Sequence, residues 1–377
     1  MTQSPLSIDP NQVTVGNSSV GDSWKICVIE GVYFGENEYN GSLGARISSI
    51  FVIFALSAGA TIFPMLSRSY PNLRIPVSAY LFTRYFGSGV ILATAFVHLL
   101  DPAYGKIGPD TCVGMTGNWS KYSFVAGIVL ATLYGVFLLD LVSSVYVERK
   151  YGIVHDHNDN TVKDLVTRQS VQRSQHDGSE DHPEDYEECD KSNAVKQMDS
   201  VNETGSVLSS DTLKSFQSQF AAFLILEFGI IFHSIMIGLN LGTTGDEFRN
   251  LYIVLVFHQT FEGLGIGARM SAIPFPQGKQ WIPYVFALAY GLSTPVATAI
   301  GLGVRTTYMS SSYTANVVAG VLDAISAGIL VYTALIELLA RDFILNPRRT
   351  KNLPRLLYIV TCHLLGTGIM SLLGKWA

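Results

Sequence analysis

The chain has 377 residues, a formal net charge of −5 and a hydrophobic fraction of 48%. Charged residues make up 15%, where a soluble domain averages about 25%. Residues 146–215 hold 15 Asp/Glu and 8 Lys/Arg, so the rest of the chain is poorer still in charge, which excludes a conventional soluble enzyme over most of the length. The negative balance and the lack of a basic cluster exclude a nucleic-acid binder.

Residues 1–45 are polar and read as an extracellular N-terminal segment. They show no positive stretch followed by an apolar core, so no cleavable signal peptide is expected and the first span is its own insertion signal. Apolar runs follow at 46–66, 79–100 and 122–145, and then at 216–241, 251–272, 282–304, 314–338 and 355–374. Each meets the ~20 residues that a helix rising ~1.5 Å per residue needs to cross a ~30 Å hydrocarbon core. The ~10-residue alternating segments of a barrel are absent. The expectation is an all-α polytopic membrane protein, with spans one to three in 46–145 and spans four to eight in 216–377. Pro283 and Pro295 predict a kinked or interrupted sixth span.

Between spans three and four, residues 146–215 are rich in Ser, Asp, Glu, Gln and Asn and poor in aromatics. Such a segment cannot bury enough apolar area to offset its ordering, and it reads as a disordered acidic loop. It holds His155, His157, His176 and His182, and the run His155-Asp156-His157-Asn158-Asp159 is a candidate weak metal site. Lys163, Lys191 and Lys196 make it a candidate substrate of the ubiquitin machinery.

Orientation follows from basic residues in short loops and near span ends. One set of loops carries twelve: Arg68, Arg74, Arg149, Lys150, Lys214, Arg269, Lys279, Arg341, Arg348, Arg349, Lys351 and Arg355. The other carries seven: Lys25, Arg46, Lys106, Lys121, Arg249, Arg305 and Lys375. The richer set is expected in the cytoplasm, which puts the 146–215 loop inside and both termini outside. The sequons at Asn17, Asn40 and Asn118 then fall outside, where glycosylation is possible, whereas Asn202 falls inside. Cys27 and Cys112 also fall outside, where a disulfide can persist; the spacing leaves open whether they pair.

Ionisable groups at membrane depth are costly and therefore candidates for function. They are Arg84, His98, Asp140, Glu227, His233, His258, Glu262, Asp323 and Glu337, with Asp101 at a span edge. His258 and Glu262 stand four apart and share one helix face. Imidazole and carboxylate together suit zinc or another divalent transition metal. The loop joining spans four and five is short, so the two form an antiparallel hairpin. His233 then lies roughly 12 Å from the outer end of span four, with His258 roughly 10 Å and Glu262 roughly 16 Å from that of span five. Two imidazoles and a carboxylate thus reach a similar depth. His98 and Asp101, three apart at the outer end of span two, read as an entrance that collects cations. Glu337 and Asp323, fourteen apart on span seven, either line the path or pair with Arg84. Glu227, six before His233, is off that face and reads as structural. Gly263, Gly265 and Gly267 lie inside a span with no preceding strand, so close helix packing explains them better than a nucleotide loop. His-Glu-x-x-His and Walker-type segments are absent, so neither a metalloprotease nor an ATP-driven pump is expected.

The segments His233-Ser234-Ile235-Met236-Ile237-Gly238-Leu239 and Phe257-His258-Gln259-Thr260-Phe261-Glu262-Gly263 resemble the ZIP family of divalent-metal transporters, in its fungal and plant branch. Ala93-Thr94-Ala95-Phe96-Val97-His98-Leu99-Leu100 and Ser326-Ala327-Gly328 through Glu337 extend the resemblance, which runs from about residue 30 to the end. It implies eight spans in a ZIP-type bundle and a zinc uptake transporter of the plasma membrane, with Fe2+, Mn2+ and Cd2+ as alternative cargo. It implies metal ligation by His233, His258, Glu262 and Gln259, and a path through Ser234, His98, Asp101 and Glu337. Divalent metal ions and the lipid bilayer are the implied partners, with a homodimer as a further expectation and no cofactor. Many relatives place a second carboxylate four residues after the span-four histidine. Here that position is Ile237, which predicts a single bound zinc.

Overall fold

The computed structural model describes residues 13, 14, 16, 18, 20–32, 39–69, 76–151, 201–345 and 352–375. The chain divides into two compact units, 1–141 with 219–377 and, separately, 142–218. Among the described residues, eight helices are long and apolar enough to cross a membrane.

In the first unit a short helix, α1 (Asp22–Ile29), precedes the spans. The first span is α2 (Leu43–Ser69). The second is composite: α3 (Val77–Ala93), a π-helical stretch at Thr94–Leu100, and α4 (Asp101–Ile107). Then come α5 (Phe124–Tyr151), α6 (Val201–Thr243), α7 (Phe248–Ala272) and α8 (Ile282–Val304). The seventh span joins α9 (Tyr313–Tyr332) to a π-helical stretch at Thr333–Ile344, and α10 (Leu353–Leu373) closes the chain. In the second unit the described residues are the continuation of α5 to Tyr151 and the start of α6 at Val201. Residues 201–215, expected to be disordered, are therefore helical: extending a formed helix costs far less than nucleating one, so α6 outruns its apolar stretch. The rest of that loop, with His155, His157 and the three lysines, lies outside the described residues, as does Asn17.

Proline accounts for two local features. Pro102 has no N–H to give to the carbonyl of His98. Around it the ladder slips by one residue, and the Asp101 N–H bonds to the Phe96 carbonyl. Pro295 likewise frees the Gly291 carbonyl inside α8, and the Ser57 hydroxyl of α2 donates to that oxygen at 3.3 Å. So α8 runs on through Pro295, and Pro283 sits harmlessly in its first turn; the sixth span is not interrupted.

The packing depends on absent side chains. A Cβ on Gly265 of α7 would lie 2.8 Å from the Gly87 Cα of α3, and one on Gly267 would lie 2.0 Å from the Thr61 carbonyl of α2. A Cβ on Gly238 of α6 would lie 2.6 Å from the Thr294 carbonyl of α8. Small residues let backbones approach where lipid offers no hydrophobic drive. This confirms the packing role of Gly265 and Gly267.

At one face of the bundle, Cys27 of α1 and Cys112 are disulfide-bonded, with Val32 and Tyr313 packed around them. On the same face the α6–α7 turn is held by Arg46, which is fully buried. Its guanidinium donates to the carbonyls of Leu241, Gly242 and Thr244 at 2.5–3.2 Å, and it lies over the Phe248 ring at 4.4 Å. A cation thus satisfies the last carbonyls of α6, where the helix dipole is negative.

Candidate metal centre

α6 and α7 run antiparallel, as their short connection requires, and bring His233 against His258. Their Nε2 atoms are 3.3 Å apart and both side chains are about 1% exposed. Two nitrogens at 2.0–2.1 Å from a tetrahedral zinc lie about 3.3 Å apart, so this pair already has the spacing of one tetrahedral edge. Glu262, one helical turn beyond His258, places Oε2 3.8 Å from His258 Nε2. That is wider than a tetrahedral edge, and a small side-chain rotation must close it. Among the described residues, no three His, Cys, Asp or Glu groups already stand at full metal-ligand spacing.

The donor set is otherwise unspent. Both oxygen and nitrogen of Gln259, Oε1 of Glu262, Oγ of Ser234 and Nδ1 of His233 and His258 are buried without a hydrogen bond in the protein. Buried polar atoms are rarely left so, because each lost partner costs about 1–3 kcal/mol. Their concentration at one depth fits a place where polar cargo passes.

A cavity of about 300 Å3 opens on the face that carries the disulfide and reaches inward to His233 and His258. Asp101 stands at its exposed edge, and His98, Asn240 and Asn316 line it. His98 lies edge-on to the His258 ring, centroids 4.8 Å apart, and its Nε2 is 3.1 Å from the Met370 carbonyl. That carbonyl can only accept, so Nε2 carries the proton and Nδ1 the lone pair. The π-helical slip around Pro102 sets this position, as such bulges often do at functional sites. Ser234, Gln259 and Glu262 lie beyond the cavity floor.

The opposite end is bolted by ion pairs. Glu337 accepts from Arg341 at 2.6 Å and from Arg269 of α7 at 3.3 Å. Arg84 of α3 makes a paired contact with Asp342 at 2.8 and 2.9 Å. This corrects one expectation. Arg84 pairs with Asp342 and with neither Asp323 nor Glu337, while Glu337 links spans five and seven through Arg269. The sequence does not mark Asp342, because the apolar pattern ends near Leu338 whereas the helix continues to Ile344.

Two further residues stand at this site. Glu227 is buried, neither of its oxygens has a hydrogen bond, and it lies within electrostatic reach of Glu262 and Tyr290. Its spacing to His233 hid this, yet it is seven residues, two turns, from Ser234 and so on that residue's face. Tyr290 of α8 donates to the backbone carbonyl of Gln259 at 2.9 Å and lies 3.4 Å from Glu262 Oε2. Nothing in the local sequence marks it. As for the sequons, Asn40 uses its amide within the Arg46 cluster, donating to Asp246 at 2.7 Å and accepting from Arg46 at 3.2 Å. Asn118 accepts from Lys121 at 3.0 Å.

The family model described as ZIP Zinc transporter matches residues 43–374. Zinc-regulated transporter 1 of Saccharomyces cerevisiae is 59% identical over 369 residues, covering 98% of this chain and 97% of that protein. The protein of the same name in Schizosaccharomyces pombe is 40% identical over 362 residues, covering 90% and 88%. Zinc transporter 9 of Oryza sativa subsp. japonica is 33% identical over 334 residues, covering 88% and 89%. With a family match across all eight described spans, and relatives aligned over most of their length, the chain belongs to the ZIP family of zinc transporters.

Proposed function

We propose that the chain takes up Zn2+ across the plasma membrane into the cytoplasm, and that the ion is held in transit by His233, His258 and Glu262 with help from Gln259. The observation that carries this reading is the cavity running from Asp101 to an imidazole pair at zinc-ligand spacing. The basic-residue asymmetry puts the disulfide-bearing face outside. On that orientation the conformation described is open outward and bolted inward by Glu337–Arg269–Arg341 and Arg84–Asp342. Release into the cytoplasm then requires those ion pairs to part.

The steps follow from the chemistry of the chain. Asp101 and the lone pair of His98 draw the hydrated ion into the cavity. His233 and His258 replace two waters, and Glu262 supplies negative charge at a depth where an unbalanced dication would be prohibitive. A ligand set without thiolate binds selectively and still lets go. A dication moving inward alone gains ~4.6 kcal/mol per 100 mV, so the membrane potential can drive the flux.

The test is zinc flux into vesicles that contain only the purified chain, with Fe2+, Mn2+ and Cd2+ as competitors. Flux that depends on His233, His258 and Glu262 supports the reading. Saturable zinc binding with no flux would replace it with a sensor.

A further inference from the structure

The cavity wall holds an ion pair that the transit site does not use. Lys106, at the end of α4, donates to Asp323 of α9 at 2.5 Å. Both residues line the same cavity as Asp101, His98, His233 and His258. The Asp323 side chain is 4% exposed, whereas that of Lys106 is 33% exposed. A carboxylate is thus sunk in the wall of the route, and the ammonium that neutralises it hangs from a flexible stem that reaches the open part of the cavity.

We propose that Asp323 is a transient binding position for the incoming divalent ion, between the mouth and the His233–His258 pair, and that Lys106 is its tethered counter-ion, displaced by the metal and returned once the metal moves on. The proposal rests on the transit site described above. A carboxylate buried alone would be strongly unfavourable, and the ammonium removes that cost at rest. Lys is a compact point charge on four methylenes, so it can leave and return without moving the backbone. Zinc accepts carboxylate oxygen readily, and a dication interacts with Asp323 twice as strongly in charge as Lys106 does. A monovalent ion offers no more charge than the ammonium already in place. Lys106 therefore sets a charge threshold at the entrance, which makes this ion pair a specificity element for divalent cargo.

The test uses the full chain and zinc uptake normalised to surface protein. Lys106→Met leaves Asp323 uncovered and should lower KM by at least about threefold, because negative charge in a low-dielectric cleft concentrates cations. Lys106→Arg grips the carboxylate with a two-pronged fork and should raise KM. Opposite shifts are the signature of displacement, since a merely structural pair would be damaged in the same sense by both. Unchanged KM in both variants, or a rise in both, overturns the proposal. A second measurement needs no variant. Saturating Zn2+ should increase the rate at which an externally added amine-acylating reagent labels Lys106, read by mass spectrometry; an unchanged or slower rate overturns the proposal. The same labelling in Glu262→Gln separates the two readings. Zinc-stimulated labelling should persist there because it reports Asp323 alone. Full zinc flux in Glu262→Gln would instead remove the transit site.

Discussion

His98 and His258 stand edge to face on two different spans, ring centroids 4.8 Å apart, with His98 anchored through Nε2 to the Met370 carbonyl. The geometry suits hand-over: the anchored ring lines the cavity while its neighbour belongs to the deeper pair. His98→Ala should therefore weaken capture and leave the deeper set intact. A loss of about 1 kcal/mol would raise KM roughly fivefold with a smaller change in maximal rate. His258→Ala should nearly abolish uptake. Concentration dependence of initial zinc uptake distinguishes the two patterns, and equal loss of maximal rate in both would assign His98 to the transit site itself.

Glu262→Gln should abolish uptake while the protein still reaches the membrane, because the substitution keeps the shape and removes the charge. Glu227 adds a refinement. Its carboxylate has no hydrogen bond and is within electrostatic reach of Glu262, so it shares the charge balance that spacing alone assigned to Glu262. Glu227→Gln should reduce maximal uptake by about tenfold, equivalent to about 1.4 kcal/mol. Wild-type rates in Glu227→Gln would return that residue to a structural role.

One zinc per chain is expected at this depth, since Ile237 lines the cavity without offering a ligand. Metal analysis of the purified chain after exchange into zinc-limited buffer checks the count. Ile237→Asp should raise it to two by adding a second carboxylate one turn from His233. Two ions in the unaltered chain would refute the single-site reading.

Arg46→Ala should be severely destabilising. It would strand the carbonyls of Leu241, Gly242 and Thr244 at the buried end of α6 and remove the cation over Phe248. The cost is on the order of 3–5 kcal/mol, since each buried carbonyl left without a donor costs about 1–3 kcal/mol. The thermal midpoint of the purified protein reads it. Arg46→Lys should recover little, because one ammonium cannot reach the same carbonyls as a fork.

The disulfide provides a check on orientation. Cys27 and Cys112 lie on the face assigned to the outside, and they close a loop with a sequence separation of 85. A membrane-impermeant reductant followed by an impermeant thiol reagent should label both on intact cells, and a tag after Ala377 should be reachable from outside. Loss of the bond should cost about 4.5 kcal/mol on the chain-entropy account of a loop that long. Labelling only after the membrane is opened would reverse every loop assignment.

The sequence by itself determined the spans and the hairpin. An apolar run of about 20 residues has one way to satisfy its backbone in lipid, and the loop between Thr243 and Phe248 is too short to do anything but turn back. His258 and Glu262 at helical spacing were legible for the same local reason. What tertiary structure decided is who meets whom across helices. His98 meets His258 because Pro102 slips the ladder; Asp323 goes to Lys106, and Arg84 to Asp342. Tyr290 reaches the Gln259 backbone from a helix with no Asp, Glu, Lys, Arg or His. Glu227 joins Glu262 through the approach of α6, α7 and α8 at bare glycines such as Gly238. Helical period fixes only which residues share a face along one helix. The rotation and depth of one helix against another come from backbone contacts at small residues, which no periodicity encodes.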